Sequence, residues 1–215
     1  MIAKRTKTIK SIISLQTIRA PIIATCALIV TFSTPMVFAD AGTVEDYWWK
    51  ADPGMCYNTS SLDDMTVDDS TDNGSDVITE TEKSRAAYNA EMNEITINGD
   101  SWTNCYGRHF DVASTNHVDD HVLATEYTYT DWLDSESITQ SEIRFNTDHD
   151  WGTDSNTCST DDLDIEWVFN HEMGHGIGLK HHTHNPANSV MNAHCNAVIA
   201  NLQDVDDTAI DIHYP

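Results

Sequence analysis

Partly alternating apolar and polar positions predict β-strands in three stretches of the chain. β-Branched and aromatic residues recur in Phe110 to Ala113, Leu123 to Thr130 and Ser141 to Asn146. Met55 to Ser60 is a shorter candidate strand. Leu62 to Asp76 is rich in Asp, Ser, Thr, Asn and Gly, and this composition predicts a loop.

Three other stretches are typical of helices. Val77 to Ile95 is rich in helix-forming residues, and a threonine near its start can cap it. Ser159 or Thr160 can cap a long second helix that ends near Gly176, with aspartates at its positive end. Leu202 to Ile210 predicts a C-terminal helix. The order of helix, mixed strands, long helix, loop and helix predicts an α+β fold.

The first forty residues differ from the rest of the chain. Met1 to Arg19 carries five basic residues and no acid, and an apolar stretch follows from Pro21 to Phe32. Small residues three and one before a cleavage point at Ala39 complete the pattern of a signal peptide. We therefore expect a signal peptide at 1–39, secretion, and a single domain at 40–215. The alternative is an uncleaved membrane anchor, although the apolar run is shorter than the roughly 20 residues of a membrane span.

Removal of this leader makes the chain strongly acidic. The remaining 176 residues contain 6 Lys and Arg against 35 Asp and Glu, a net charge of −29. Such a surface repels nucleic acid and anionic membranes, so we expect neither as a partner after leader removal. The charge suits either high salt, which screens self-repulsion, or calcium binding. We expect a monomer.

Cysteine pairing is the next expectation. Loss of the leader removes Cys26 and leaves Cys56, Cys105, Cys158 and Cys195. An even number in an exported chain predicts two disulfides, with three possible connectivities. We favour Cys56–Cys105 and Cys158–Cys195, because the second pair would brace both ends of the segment described next. No CxxC spacing occurs, which argues against zinc binding by cysteines.

The stretch from His171 to His181 has the residues of a metal site. It reads HEMGHGIGLKH and matches HExxHxxGxxH at every defined position. His171 and His175 are four residues apart, so both imidazoles leave one face of a helix. Zinc binds imidazole nitrogens at about 2.0–2.1 Å. Glu172 lies beside the first ligand, where it can accept a hydrogen bond from a water at the metal.

Gly178 and His181 extend the motif beyond the helix. Glycine allows a sharp turn there, and the turn brings His181 back as the third ligand. Three protein ligands leave one tetrahedral position for water, which is typical of a catalytic zinc site. HExxH alone is only moderately specific, and the added glycine and histidine make a chance match far less frequent.

With Met191 ten residues beyond the third histidine, the chain resembles the metzincin zinc peptidases. Their consensus is HExxHxxGxxH followed by a methionine-containing turn beneath the zinc. The segments from Ile143 to Asp148 and from Asp206 to Pro215 resemble the matrixin branch. The resemblance implies a metzincin-like α+β domain with a mixed twisted sheet, a long active-site helix and a C-terminal helix. It also implies that Met191 packs under the site without binding the metal.

The resemblance further implies a zinc endopeptidase that acts on proteins or peptides. Glu172 would take a proton from the attacking water and pass it to the leaving amine, while zinc polarises the scissile carbonyl. Ser141 to Asn146 would be the edge strand that pairs with an extended substrate. One alternative is a catalytically silent metal-binding or adhesive module, against which the intact Glu172 argues. Another is a structural zinc domain with His182 or His184 as fourth ligand; we otherwise expect these two histidines to face solvent.

Several features of the matrixin branch are not reproduced cleanly. No propeptide with a blocking cysteine is recognisable, and Cys56 is a weak candidate for that role. His109, Asp111 and either His117 or His121 could form a second zinc site. Surface histidines in a loop are the simpler interpretation. Calcium could be bound by Asp148, Asp150 and Asp154, although such clusters are expected in so acidic a chain.

Overall fold

A computed structural model describes residues 44–68, 72–99, 107–117, 122–153, 163–182, 189–193 and 201–215, together with the backbone of 7–9. In these ranges the strands are β1 (Lys7–Ile9), β2 (Gly54–Tyr57), β3 (Thr66–Val67), β4 (His109–Thr115), β5 (Ala124–Thr130), β6 (Ile138–Asn146), β7 (Asp150–Gly152) and β8 (Leu163–Asp164). The helices are α1 (Thr59–Leu62), α2 (Asn73–Glu91), α3 (Ile165–Gly176) and α4 (Asp204–His213). The mixture confirms the expected α+β class.

The main sheet is mixed and has the order β1-β5-β6-β4-β2. Strands β2, β4 and β6 are parallel, whereas β5 is antiparallel to β6 and β1 is antiparallel to β5. A smaller sheet pairs β3, β7 and β8 in parallel. The sheet order makes β6 an interior strand, so the expectation that Ser141 to Asn146 forms the edge of the sheet is wrong. It is β5 that lies outside β6, and its outer side pairs with β1.

The core lies between the main sheet and two long helices. Phe145 of β6 contacts Phe169 of α3 and Trp151 of β7, with ring centroids 6.1 Å and 5.1 Å away. On the far side of α3, the Tyr88 hydroxyl of α2 donates a hydrogen bond of 2.7 Å to the Asn170 carbonyl oxygen. The helix α3 is therefore held between β6 and α2, and its first half is fixed by large apolar contacts.

Helix starts differ from the expected ones because aspartates cap them. The Asp72 side chain accepts a hydrogen bond from the Ser75 amide and starts α2 four residues before the predicted position. Asp164 caps α3 in the same way, accepting from the Trp167 amide at 2.6 Å. The predicted caps Ser159 and Thr160 lie outside the described residues. The predicted loop between Leu62 and Asp76 contains regular structure, since β3 and the first turn of α2 lie within it.

Three expectations about export concern residues that are mostly outside the described ranges. Of the leader, the structure describes only β1, and the cleavage point is not covered. Cys56 is disulfide-bonded, but the other cysteines lie outside the described residues, so both expected pairings stay predictions. Among the described helices, none combines the length and the apolar character needed to cross a membrane.

Candidate metal centre

Three histidine side chains from two parts of the chain meet beside α3. The Nε2 atom of His171 lies 3.2 Å from that of His175 and 3.1 Å from that of His181, and the last two are 3.1 Å apart. His171 and His175 come from successive turns of α3, whereas His181 follows the turn after it. The structure thus brings together all three ligands that the sequence predicts.

Backbone carbonyls orient two of the three rings. The Nδ1 atom of His171 lies 2.7 Å from the Val190 carbonyl oxygen, and that of His175 lies 2.8 Å from the Leu179 carbonyl oxygen. A carbonyl can only accept, so Nδ1 carries the proton in both rings. Each Nε2 therefore presents a lone pair to the centre of the triangle, which is the tautomer that a metal requires.

Burial also keeps the first ligand neutral. His171 is fully buried, and this burial lowers its pKa to about 3, with His181 contributing to the same direction. The hydrogen bond to Val190 opposes the shift only in part. A neutral imidazole is the form that binds metal, so the site is prepared for a cation at neutral pH.

The triangle has the dimensions of a zinc site. Tetrahedral zinc with bonds of about 2.0–2.1 Å places its nitrogen ligands about 3.3 Å apart, close to the 3.1–3.2 Å that separates these Nε2 atoms. The lone pairs of the His171 and His175 Nε2 atoms point at one place, where they repel each other unless a cation lies between them. Within the described residues this is the one group of potential ligand side chains that converges in this way, so the donor set fits zinc.

Glu172 is fully buried in α3, next to the first ligand in sequence. It directly follows His171, one of the three converging histidines, so its carboxylate belongs to the same turn of α3 as this ligand. A carboxylate here can act on water at the metal without being a ligand, and it is not a member of the converging group.

The turn that returns His181 depends on a glycine with a left-handed backbone. Gly178 has a φ of +100°, and a Cβ there would lie 2.7 Å from the Tyr47 carbonyl oxygen and 2.5 Å from the His213 ring. The carbonyl groups at the end of α3 are bound from outside: Trp49 donates to Gly176 and Tyr214 donates to Ile177, at 3.0 Å and 2.8 Å. The sequence argument for Gly178 is therefore confirmed.

Met191 packs against α3 at Gly174, which lies between the two helical ligands in sequence. It is fully buried, and its sulfur is in the space that a Cβ on Gly174 would occupy. Gly174 stands between His171 and His175 in the motif, so the absence of a side chain there lets the methionine approach the helix backbone. This agrees with the expected packing role of Met191.

Other histidines and acids behave differently from the expected sites. His182 is 4% exposed, so the expectation that it faces solvent is wrong; its Nε2 lies 3.4 Å from Asp206 Oδ1. Of the second zinc site and the calcium site, the described residues His109, Asp111, His117, Asp148 and Asp150 form no group of three converging ligands. His121, Asp154 and His184 lie outside the described residues.

Sequence reasoning missed the residues that hold the site from a distance. Asp206 accepts hydrogen bonds from Ser189 and Val190, and Tyr88 binds the backbone of α3. Neither belongs to the motif. One signal was available: Asp206 stands within the predicted C-terminal helix, inside the segment that resembles the matrixins.

Comparison with known proteins agrees with this geometry. The family model for matrixin, Peptidase_M10, matches residues 83–215, a range that contains α3, the three histidines and α4. No curated protein matches the chain.

Proposed function

We propose, from the premise that the chain belongs to the matrixin family of zinc peptidases, that it is a secreted endopeptidase with Glu172 as its general base. The observation that carries the proposal is the convergence of three Nε2 atoms. Glu172 is buried on the same helix and directly follows the first of these histidines in sequence. His171, His175 and His181 would hold the zinc, and protein or peptide chains would be the substrates.

The reaction would divide between the metal and the chain. Bound zinc would supply a Lewis acid for the scissile carbonyl and would make a water more acidic. Glu172 would accept the proton of that water during attack and deliver it to the departing amine. The Val190 and Leu179 carbonyls keep the ligand rings in one orientation, so the site needs little rearrangement when the barrier is crossed.

The position of α3 indicates where a substrate would lie. Phe169 stacks on Phe145, which is paired in register with Ala124, whereas Gly176 approaches Ser141, which is paired with Thr128. His171 and His175 lie between Phe169 and Gly176 on α3, so they lie opposite the part of β5 between Ala124 and Thr128. The outer edge of β5 is thus the sheet edge nearest to the site.

The same edge is compatible with an extended peptide. In β1, Lys7 lies opposite Tyr129 and Ile9 opposite Tyr127, an antiparallel pairing that runs toward the Ala124 end of β5. We propose that substrate takes this kind of main-chain pairing once residues 1–39 are removed. Export by the leader and disulfides at Cys56–Cys105 and Cys158–Cys195 are parts of the same proposal.

The decisive experiment compares wild type with Glu172→Gln for zinc content and for cleavage of an unfolded polypeptide. Glutamine keeps the shape of the side chain but cannot take a proton. We expect one zinc per chain in both proteins, and a loss of about 10²–10⁴ in kcat/KM in the variant, the usual contribution of a general base. Thermal unfolding of the two proteins with zinc controls for a change in fold.

Two results would count against the proposal, one against the enzyme activity and one against the ligand assignment. A wild type that holds zinc but cleaves nothing would favour a silent metal-binding or adhesive module. Zinc loss in His182→Ala with retention in His181→Ala would favour a different ligand set. The observed contact of His182 with Asp206, rather than with the three other rings, argues against the second outcome.

A further inference from the structure

Asp206 is a fully buried carboxylate in the first turn of α4. Its Oδ1 accepts a hydrogen bond of 2.5 Å from the Ser189 hydroxyl, and its Oδ2 accepts from the amides of Val190 and Gln203 at 3.1 Å and 3.0 Å. A buried carboxylate with three donors is well satisfied. Only the Gln203 contact belongs to its own helix, so the other two act on a separate part of the chain.

A fourth contact connects the same carboxylate to His182, which directly follows the ligand His181. The His182 Nε2 lies 3.4 Å from Oδ1, the oxygen that also binds Ser189. His182 and Ser189 are the described residues on either side of 183–188. One oxygen of Asp206 therefore contacts both ends of this segment.

Each end of this segment is linked to a metal ligand, one by a hydrogen bond and the other by the chain itself. Val190, whose amide binds Asp206, uses its carbonyl to accept from His171 Nδ1. His182 directly follows His181, and its amide donates to the Met191 carbonyl at 3.1 Å. The route from Asp206 to two of the three ligands is thus made of contacts between buried groups.

We propose that Asp206 is the positioning residue of the metal centre. It holds the Val190 carbonyl in line with His171 and keeps His182 in place beside His181, so that both Nε2 atoms stay within reach of one ion. This role rests on the proposed function only in that the metal is zinc, and it does not require catalysis. The competing role is purely structural, because Asp206 also completes the capping box of α4 with Gln203.

The test compares Asp206→Asn with Asp207→Asn, each in a Glu172→Gln chain to suppress self-cleavage. Asp207 is the next residue in α4 and undergoes the same chemical change, so it is the matched control. The zinc dissociation constant is measured against a competing chelator. Co²⁺ in place of zinc gives a visible spectrum that reports ligand geometry. Thermal unfolding is followed with and without zinc.

Asp206→Asn should weaken zinc binding about tenfold, the low end of the 10–100-fold found for direct partners of metal-bound histidines. The cobalt spectrum should shift, and zinc should raise the unfolding temperature less than it does in Asp207→Asn. Unchanged zinc affinity and cobalt spectrum would overturn the proposal. If Asp206→Asn lowered the unfolding temperature equally with and without zinc, the proposal would also be overturned, because Asp206 would then act only through the fold.

Ser189→Ala covers the case in which Asp206→Asn does not fold. It removes the hydrogen bond to Oδ1 and also the one that the Ser189 hydroxyl accepts from the Met191 amide, and it leaves the buried charge with its two amide donors. We expect a several-fold loss of zinc affinity with cooperative unfolding retained. Zinc affinity equal to that of the parent chain would contradict the positioning role. None of these measurements needs peptide cleavage, so the proposal can fail while the peptidase function stands, and the reverse.

Discussion

The metal site is built from two sides that owe their geometry to different parts of the chain. The helix side, α3 with His171 and His175, is set by the four-residue spacing of its ligands and by the Asp164 cap. The loop side, from Gly178 to Met191, has no such repeat. Its described residues are held by distant groups: the Glu45 amide donates to the Gly178 carbonyl, and Asp206 accepts from the Val190 amide. A helix can place two ligands with local hydrogen bonds alone, whereas the third ligand depends on distant residues.

The largest expected effect is the loss of a ligand from either side. His175→Ala and His181→Ala should each abolish stoichiometric zinc binding, because two imidazoles hold the ion far more weakly than three. The fold should survive in both, since the apolar core does not include these rings. Metal analysis after dialysis and unfolding without zinc are the measurements. His109→Ala, away from the site, is the control. Full zinc content in His181→Ala would contradict the view that the loop side supplies a necessary ligand.

The next effect concerns the turn that joins the two sides. Gly178→Ala places a Cβ against the Tyr47 carbonyl and the His213 ring in a left-handed conformation. Left-handed strain costs about 1–2 kcal/mol, and overpacking adds about 1–3 kcal/mol. Denaturant unfolding should show a loss of about 3 kcal/mol. Gly54→Ala, where a Cβ meets nothing within 4 Å, should change little. Equal stability of the two variants would show that the turn can relax.

The helix side should show a pH dependence at its cap. Burial raises the pKa of Asp164 to about 6, and the nearby Glu166 and Glu80 act in the same direction. The folded protein therefore binds a proton more tightly than the unfolded chain, whose aspartates titrate near 3.9. This group's contribution to stability is greatest below the unfolded pKa and is lost as the pH rises through about 6.

Asp164→Asn should remove that loss, since asparagine caps helices as well as aspartate. Above pH 6 the variant should be more stable than wild type by up to about 3 kcal/mol, at 1.36 kcal/mol per pKa unit, and the gap should narrow toward pH 4. Unfolding free energies measured across this range check the prediction. A gap that is constant with pH would show that Asp164 does not titrate there.

The smallest effect is expected where the two sides touch. Gly174→Ala puts a methyl group into the space of the Met191 sulfur, 2.9 Å from the Tyr88 hydroxyl. Overpacking of this kind costs about 1–3 kcal/mol, although methionine can adapt. We expect about 2 kcal/mol by denaturant unfolding. In a Met191→Ala chain the sulfur is absent, so adding Gly174→Ala should restore part of the unfolding free energy that Met191→Ala alone removes. Strict additivity of the two changes would mean that they do not share this space.

The same division explains how far the sequence could be read. The three converging histidines and the turn at Gly178 were predictable from motif spacing and local turn chemistry. The place of Met191 was implied by the resemblance to the metzincins, and the role of Glu172 stays a prediction. The strand stretches at Phe110, Leu123 and Ser141 were found from alternation. Sheet order was not, since alternation says which face is buried and not which strand lies at the edge. Asp206 and Tyr88 act over long sequence separations, so no local pattern marked them, and His182 was assigned to solvent for the same reason.

X-ray absorption spectroscopy of the zinc-loaded chain tests the central claim most directly. The account predicts three imidazole nitrogens and one light non-imidazole ligand at about 2.0–2.1 Å. His181→Ala should lower the imidazole count, whereas His182→Ala should leave it at three. Four imidazoles, or any sulfur in the first coordination sphere, would contradict the account, because a metal closed by four protein ligands has no position for water.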